Sequence, residues 1–165
     1  MGSTIAFRLD GPPVPRDAEH MTDAHYVDPS RTNFEAFKAL DRDQPVAMLN
    51  LVRFRDKAEY PDDHPMAGKG LSGAEAYALY GEESGPIFER VGGTVLWSGE
   101  PQTIVIGPED ERWDTAFVAH YPKAGDFLEM ATDPDYRKAV VHRQAAVETS
   151  RLIRHKPRDP GSGFG

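Results

Sequence analysis

Six histidines, six tyrosines and no cysteine set the chemistry open to this chain. Without thiols there is no disulfide, no thiolate metal site and no cysteine nucleophile. The histidines form no His-x-x-x-His or His-Glu-x-x-His pair. The nearest groupings, His20 with His25 and Asp62-Asp63-His64, fall in a tail and a loop that lack the fixed geometry ligands need, so no metal and no cofactor are expected. His142 stands on the last helical stretch, where a general base or an axial haem ligand is one reading and a partly exposed helix histidine the plainer one. Tyr80 and Tyr121 carry phenols that can donate to a developing oxyanion or hold an aromatic ligand, although aromatics at such spacing also serve as core or interface. With Asn50 and His142 they make up the candidate catalytic set. Arg143, Arg53 and Trp97 are the candidate ligand-binding residues.

Arg143 earns its place from a stripe. Tyr136, Val140, Arg143 and Val147 recur at helical spacing, so the guanidinium belongs to an apolar face. Its charge cannot be shed, which calls for Glu83 or a substrate carboxylate as partner, unless the stem lies along the face and the head reaches water. No Gly-x-Gly-x-x-Gly, Walker loop or Gly-x-Ser-x-Gly elbow is present, so dehydrogenase, nucleotide-dependent and serine-hydrolase readings lose support.

The elements that must position these residues are punctuated by proline and glycine. Asp28-Pro29 opens a short helix bearing Phe34, Phe37 and Leu40. The run 45–54, nearly all apolar, reads as a central strand buried on both faces, with Asn50 in its middle. Alternation groups Met48, Asn50 and Val52 on one face and Ala47, Leu49 and Leu51 on the other; the second, more apolar set suits a helix layer, which aims Asn50 away from it, at a substrate oxygen, the backbone or a second subunit. Residues 56–70 lack periodicity and suggest a lid or a subunit contact. Ser72 and Glu75 form a capping box for a helix that ends at Gly92-Gly93 and is expected to kink or break at Gly85-Pro86. Strands follow over 94–98, 102–106 and 114–121, then helices over 123–131 and from Asp133-Pro134 to about 148, then a strand over 150–155.

From residue 46 this order is the split βαβ of an α+β, ferredoxin-like βαββαβ subunit, an antiparallel sheet with helices on one face. The other face would be left apolar in water, which predicts a homodimer closing a dimeric α+β barrel around a pocket.

Several motifs are similar to those of the bacterial family called domain of unknown function 1330. They are Met48-Leu49-Asn50-Leu51-Val52-Arg53-Phe54, Ala58-Glu59-Tyr60-Pro61, Gly73-Ala74-Glu75-Ala76-Tyr77, Gly92-Gly93 with Trp97-Ser98-Gly99, Arg112-Trp113-Asp114, and Asp133-Pro134-Asp135-Tyr136 with His142-Arg143. The resemblance runs from about Met21 to Pro157 and implies a dimeric α+β barrel but no activity. The wider barrel superfamily holds cofactor-free monooxygenases, lactone isomerases, haem-handling enzymes and plain ligand binders, so fold alone does not choose among them.

Charge bounds the partners. With 19 Lys and Arg against 27 Asp and Glu, the 165 residues carry a formal charge of −8, which disfavours nucleic acid and anionic membrane. No apolar run approaches the roughly 18 residues of a membrane span, and no secretory h-region opens the chain, so a cytoplasmic protein is expected. Residues 1–20, with Gly11-Pro12-Pro13-Val14-Pro15, read as an extended tail; 21–157 as one domain; 158–165 as a second tail. The functional expectation is a small-molecule pocket acting as a cofactor-free oxygenase or isomerase on an aromatic or carbonyl metabolite, with a non-catalytic binding or structural dimer as the alternative.

Overall fold

A computed structural model describes residues 25–164 of the chain; the expectations for residues 1–20 lie outside them. The elements in order are α1 (Arg31–Ala39), β1 (Val46–Phe54), α2 (Gly73–Arg90), β2 (Thr94–Gly99), β3 (Thr115–Tyr121), α3 (Ala124–Thr132), α4 (Pro134–Ala146) and β4 (Val147–His155). The sheet order is β2-β3-β1-β4, antiparallel at each pairing, which is the ferredoxin-like arrangement of an α+β fold. No helix among the described residues is long and apolar enough to cross a membrane.

Local chemistry explains the helix ends. Ser72 Oγ accepts from the Glu75 amide at 3.1 Å while Glu75 Oε2 accepts from the Ser72 amide at 2.7 Å, and the Ser72 amide, followed by its side chain, holds the Glu75 carboxyl below its ordinary range. At the other end, Gly92 takes φ +83°, a conformation costly for other residues. The break of α2 at Gly85-Pro86, one of the two outcomes expected there beside a kink, and the strand over 102–106 do not occur. Helix α2 runs unbroken through Pro86; Glu82 and Pro86 are both exposed, so the carbonyl deprived of its donor can be hydrated. The strand expected over 102–106 does not form. The β2–β3 ladder ends at Gly99, opposite Ala116, and the chain then runs irregularly with Val105 and Ile106 exposed.

The core lies between the sheet and the helices in two clusters. One joins Val46, Met48, Ala119 and Tyr121 to Ile87, Val91, Ala124 and Met130. The other joins Val52 and Val147 to Ala76 and Ala146, with Tyr60 and Tyr77 packed against it. Because Met48 and Val52 face the helices, so does Asn50 between them, and its amide donates to the Met48 carbonyl at 3.1 Å. This reverses the expected orientation. The opposite face is apolar as well: Trp97, Val118, Leu49 and Ile153 form one row across all four strands, with Trp97 56% and Ile153 45% exposed.

One contact fixes the helix layer to the sheet. Arg55, just past β1, donates its N–H to the Ala146 carbonyl at 2.9 Å and accepts from the Gly73 N–H at 3.1 Å. A Cβ on Gly73 would lie 2.3 Å from the Arg55 oxygen and 2.7 Å from the Ala146 oxygen, so the backbone would have to separate. Gly73→Ala is therefore expected to cost about 3 kcal/mol. Gly81→Ala, in the same helix with open space around it, is expected to stabilise by about 0.5–1 kcal/mol. Urea unfolding midpoints of the two variants test this; equal midpoints would refute the close-approach account.

Candidate functional site

Helices α2 and α4 are held side by side, and the residues with chemistry sit on and beside their seam. Asp133 caps α4 by accepting from the amides of Asp135 and Tyr136 at 2.8 and 3.2 Å, and it also pairs with Arg90 in the last turn of α2. The Tyr136 amide bond contributes most to holding the Asp133 carboxyl below its ordinary range, while its partial desolvation acts the other way. Around His142 on α4, Ala139, Ala145 and Ala146 are buried, small enough to admit a close neighbour.

Two groups of side chains result. The first is a set of phenols facing the sheet. Tyr80 and Tyr136 share a hydrogen bond between hydroxyls at 2.9 Å; the Tyr77 ring packs in tilted contact, its centroid 5.4 Å from that of Tyr80 and 5.1 Å from that of Phe54. Tyr121 packs edge-on against Phe88 and Phe127 and directs its hydroxyl to Met130 Sδ at 3.8 Å. Burial, followed by the Tyr80 phenol, pushes Tyr77, Tyr121 and Tyr136 well above the usual phenol range; the Arg143 guanidinium opposes the shift at Tyr77 and Tyr136. Arg143 itself donates to the Val27 carbonyl and to Ser150 Oγ, the latter at 3.0 Å. The expected Glu83 partner is not there, because Glu83 is bonded to His142.

The second group is a relay. His142 is only 4% exposed. Its Nε2 lies 3.1 Å from Glu83 Oε1 and its Nδ1 2.7 Å from the Tyr60 hydroxyl. The carboxylate accepts only, so it fixes the proton on Nε2 and leaves Nδ1 to accept from Tyr60. His64 stacks on Tyr60 at 4.8 Å and meets the His142 ring edge-on at 5.5 Å. Burial, and then the Glu83 charge, raise Tyr60 above the ordinary phenol value, so at rest it is a neutral donor. The arrangement can move a proton from a phenol to an imidazole whose positive charge is then stabilised by a carboxylate. Among the described residues, no three of His, Asp and Glu converge as metal ligands.

The sequence candidates divide accordingly. Tyr80, Tyr121, Arg143 and Asn50 share the space between sheet and helices, and His142 anchors the relay. Arg53 lies at one end of the opposite face, its Nε 2.8 Å from Glu148, beside Trp113; Trp97 is on that face too, so neither joins the phenols. Tyr60, Glu83 and His64 were not identified as a unit. Tyr60 is 82 residues from His142, and the one signal pointing there was the alanine-rich flank around His142.

A family model described as a domain of unknown function (DUF1330) matches residues 70–155. The crystal structure of the RPA0582 protein of unknown function from Rhodopseudomonas palustris is 53% identical, covers 83% of this chain and 100% of its own, and superposes with a TM-score of 0.76. A structure of methylated RPA0582 protein is likewise 53% identical over 83% of this chain and 98% of that one, with a TM-score of 0.77. SnoaB, a cofactor-independent oxygenase from Streptomyces nogalater, is 13% identical over 72% of this chain and 98% of its own at a TM-score of 0.47, too slight a likeness to bear on activity. No curated protein matches the chain.

The raised phenols yield a pH prediction. Tyr60, Tyr77, Tyr121 and Tyr136 bind their protons more tightly folded than unfolded, so their contribution to stability is complete below the ordinary value of 10.0 and is lost as pH rises beyond it. Ultraviolet titration of the six tyrosines is expected to show these four ionising above pH 10.0, the most deeply buried only as the protein unfolds. All six ionising together near pH 10.0 in the folded protein would contradict the packing described.

Proposed function

The chain belongs to the DUF1330 family, and since no activity comes with that membership, we propose from its geometry that it is a cofactor-free enzyme of proton transfer, of isomerase type, acting on a small carbonyl-bearing or aromatic metabolite. One observation carries this reading: a buried imidazole bonded on one side to a carboxylate and on the other to a phenol, at 3.1 and 2.7 Å. In the proposed step the substrate's acidic C–H faces the Tyr60 oxygen. Its proton moves to that oxygen as the phenolic proton passes to His142 Nδ1, and the C–H electron pair becomes the C=C bond of an enolate. Glu83 stabilises the imidazolium. Delivery of one proton from Tyr60 to a different carbon of a conjugated enolate, as the proton on His142 returns to the phenol oxygen, completes an isomerisation, and the sequence needs no oxidant. An oxygenase acting on the same substrates would share the first step.

The test is exchange of carbon-bound hydrogen for deuterium in heavy water, followed by NMR over a panel of small ketones, keto acids and phenols. Exchange by the native protein that falls about 100-fold or more in Tyr60→Phe and in His142→Gln supports the proposal. Glu83→Gln should reduce the rate and move the pH profile, because it removes the group that stabilises the imidazolium. No exchange across the panel, or full activity in Tyr60→Phe, would overturn it.

The second part of the proposal is assembly with a second copy of the chain. It is supported by the apolar row Trp97–Val118–Leu49–Ile153, whose end members are about half exposed, and by the exposed Leu96 next to Trp97 in β2. Light scattering at micromolar concentration should give twice the chain mass, and Leu49→Asp should give a monomer. A monomeric native protein refutes assembly. A dimer without any exchange activity favours the non-catalytic binding or structural reading.

A further inference from the structure

On the sheet side of α4, one residue along from His142, lies a cation without an anion. Arg143 is half-buried, and its hydrogen bonds go to neutral acceptors, the Val27 carbonyl and the Ser150 hydroxyl. The nearby carboxylates are committed elsewhere: Glu83 to His142, Glu148 to Arg53, and Asp28 to the Gln144 amide at 3.0 Å. No ion pair of Arg143 occurs among the described residues. A partly desolvated guanidinium is costly unless an anion completes it.

Its surroundings supply hydroxyl donors and flat apolar surface but no second charge. Tyr77 packs between Phe54 and Tyr80, and its hydroxyl makes no hydrogen bond among the described residues. The Tyr80–Tyr136 pair has one hydrogen in its shared bond and a second to give outward. Phe117 lies on the same face of the sheet, directly across from Asn50. A permanent cation, neutral phenolic donors and aromatic rings together suit a flat organic anion.

We propose that Arg143, with Tyr77 and the Tyr80–Tyr136 pair, forms a binding subsite for the carboxylate of a small aromatic acid. The site goes beyond the proton-transfer reading, because it requires no turnover and uses side chains that make no hydrogen bond to Tyr60 or His142. The guanidinium takes the carboxylate through charge-assisted bonds, the Tyr77 hydroxyl donates to it, and the ring stacks among the phenols. Overall charge raises the importance of the guanidinium, because a chain of net −8 disfavours anions on average.

Benzoate and its neutral analogue benzamide are the ligands to compare, by NMR titration of the full-length protein. Benzoate is expected to bind with a Kd of about 1 mM or tighter and benzamide at least about 10-fold more weakly. Arg143→Gln should lower benzoate affinity by about 10-fold or more and abolish the preference for the anion, while Arg143→Lys retains part of both. Tyr77→Phe, which keeps the ring, should weaken benzoate several-fold and leave the melting temperature unchanged. Equal affinity for benzoate and benzamide, or unchanged benzoate binding in Arg143→Gln, overturns the proposal. Tyr60→Phe separates it from the relay: that variant should bind benzoate normally whether or not the protein exchanges protons, and loss of binding there would refute the assignment to Arg143.

Discussion

Arg55 leaves β1 and is gripped from both sides of the helix layer, its N–H by the last carbonyl of α4 and its carbonyl by the first N–H of α2. The contact is possible because residue 73 has no side chain: three backbone segments converge within a space that a single Cβ would fill. Neighbouring bonds extend the clamp. The Glu59 amide donates to the Ala145 carbonyl at 2.9 Å, and the Ala58 amide donates to the Leu71 carbonyl at 2.8 Å. The start of the segment 56–70, at Ala58 and Glu59, is thus tied both to the residue before the α2 cap and to the end of α4. This is what lowers Tyr60 onto His142, one turn back along α4. Without the clamp, the phenol and the imidazole would belong to unconnected surfaces.

The same clamp makes α4 two-sided. A helix pinned at its C-terminus to the sheet and at its N-terminus, through Asp133 and Arg90, to α2 cannot rotate. Successive residues on it point about 100° apart. His142 and Arg143, adjacent in the chain, are therefore held in different environments, one against Glu83 and Tyr60, the other against Ser150 and Val27. Each is costly to bury alone. The imidazole is satisfied by groups from α2 and from the 56–70 segment, whereas the guanidinium finds only neutral oxygen.

How much of this was legible in the sequence depends on which physical rule each residue obeys. The capping box at Ser72, the Asp133 cap, the Gly92 stop and the central strand ending at Phe54 are local or periodic features, and the structure reproduces them. The strand over 102–106 failed because an apolar run says that side chains need cover, not that the backbone has a ladder partner: Val105 and Ile106 are apolar, yet the β2–β3 ladder stops before them. The break at Pro86 failed because proline removes only one bond, and that one lies on the wet side of the helix. Glu83 was matched to Arg143 by charge alone, but helix rotation decides which neighbour it reaches, and that neighbour is His142. Tyr60 was invisible as a site residue, since nothing in a non-periodic segment reports where it lands.

The orientation of Asn50 shows a deeper limit. Ranking the two faces of β1 by hydrophobicity works when one face meets protein and the other meets water. Here Leu49 and Leu51, on the face without helices, are more apolar than Asn50 on the face that has them, so the ranking points the wrong way. That inversion is itself informative. A buried face can hold an amide, four phenols and a guanidinium only where hydrogen bonds, or a ligand, satisfy them. A face of Trp97, Val118, Leu49 and Ile153 asks nothing beyond exclusion of water. The polar residues mark the side of the sheet where chemistry is possible, and the purely apolar row marks the side suited to another protein surface. Strand β1 thus divides a polar, hydrogen-bonded face from an apolar one, and the misleading hydrophobicity of its two faces is the sequence trace of that division.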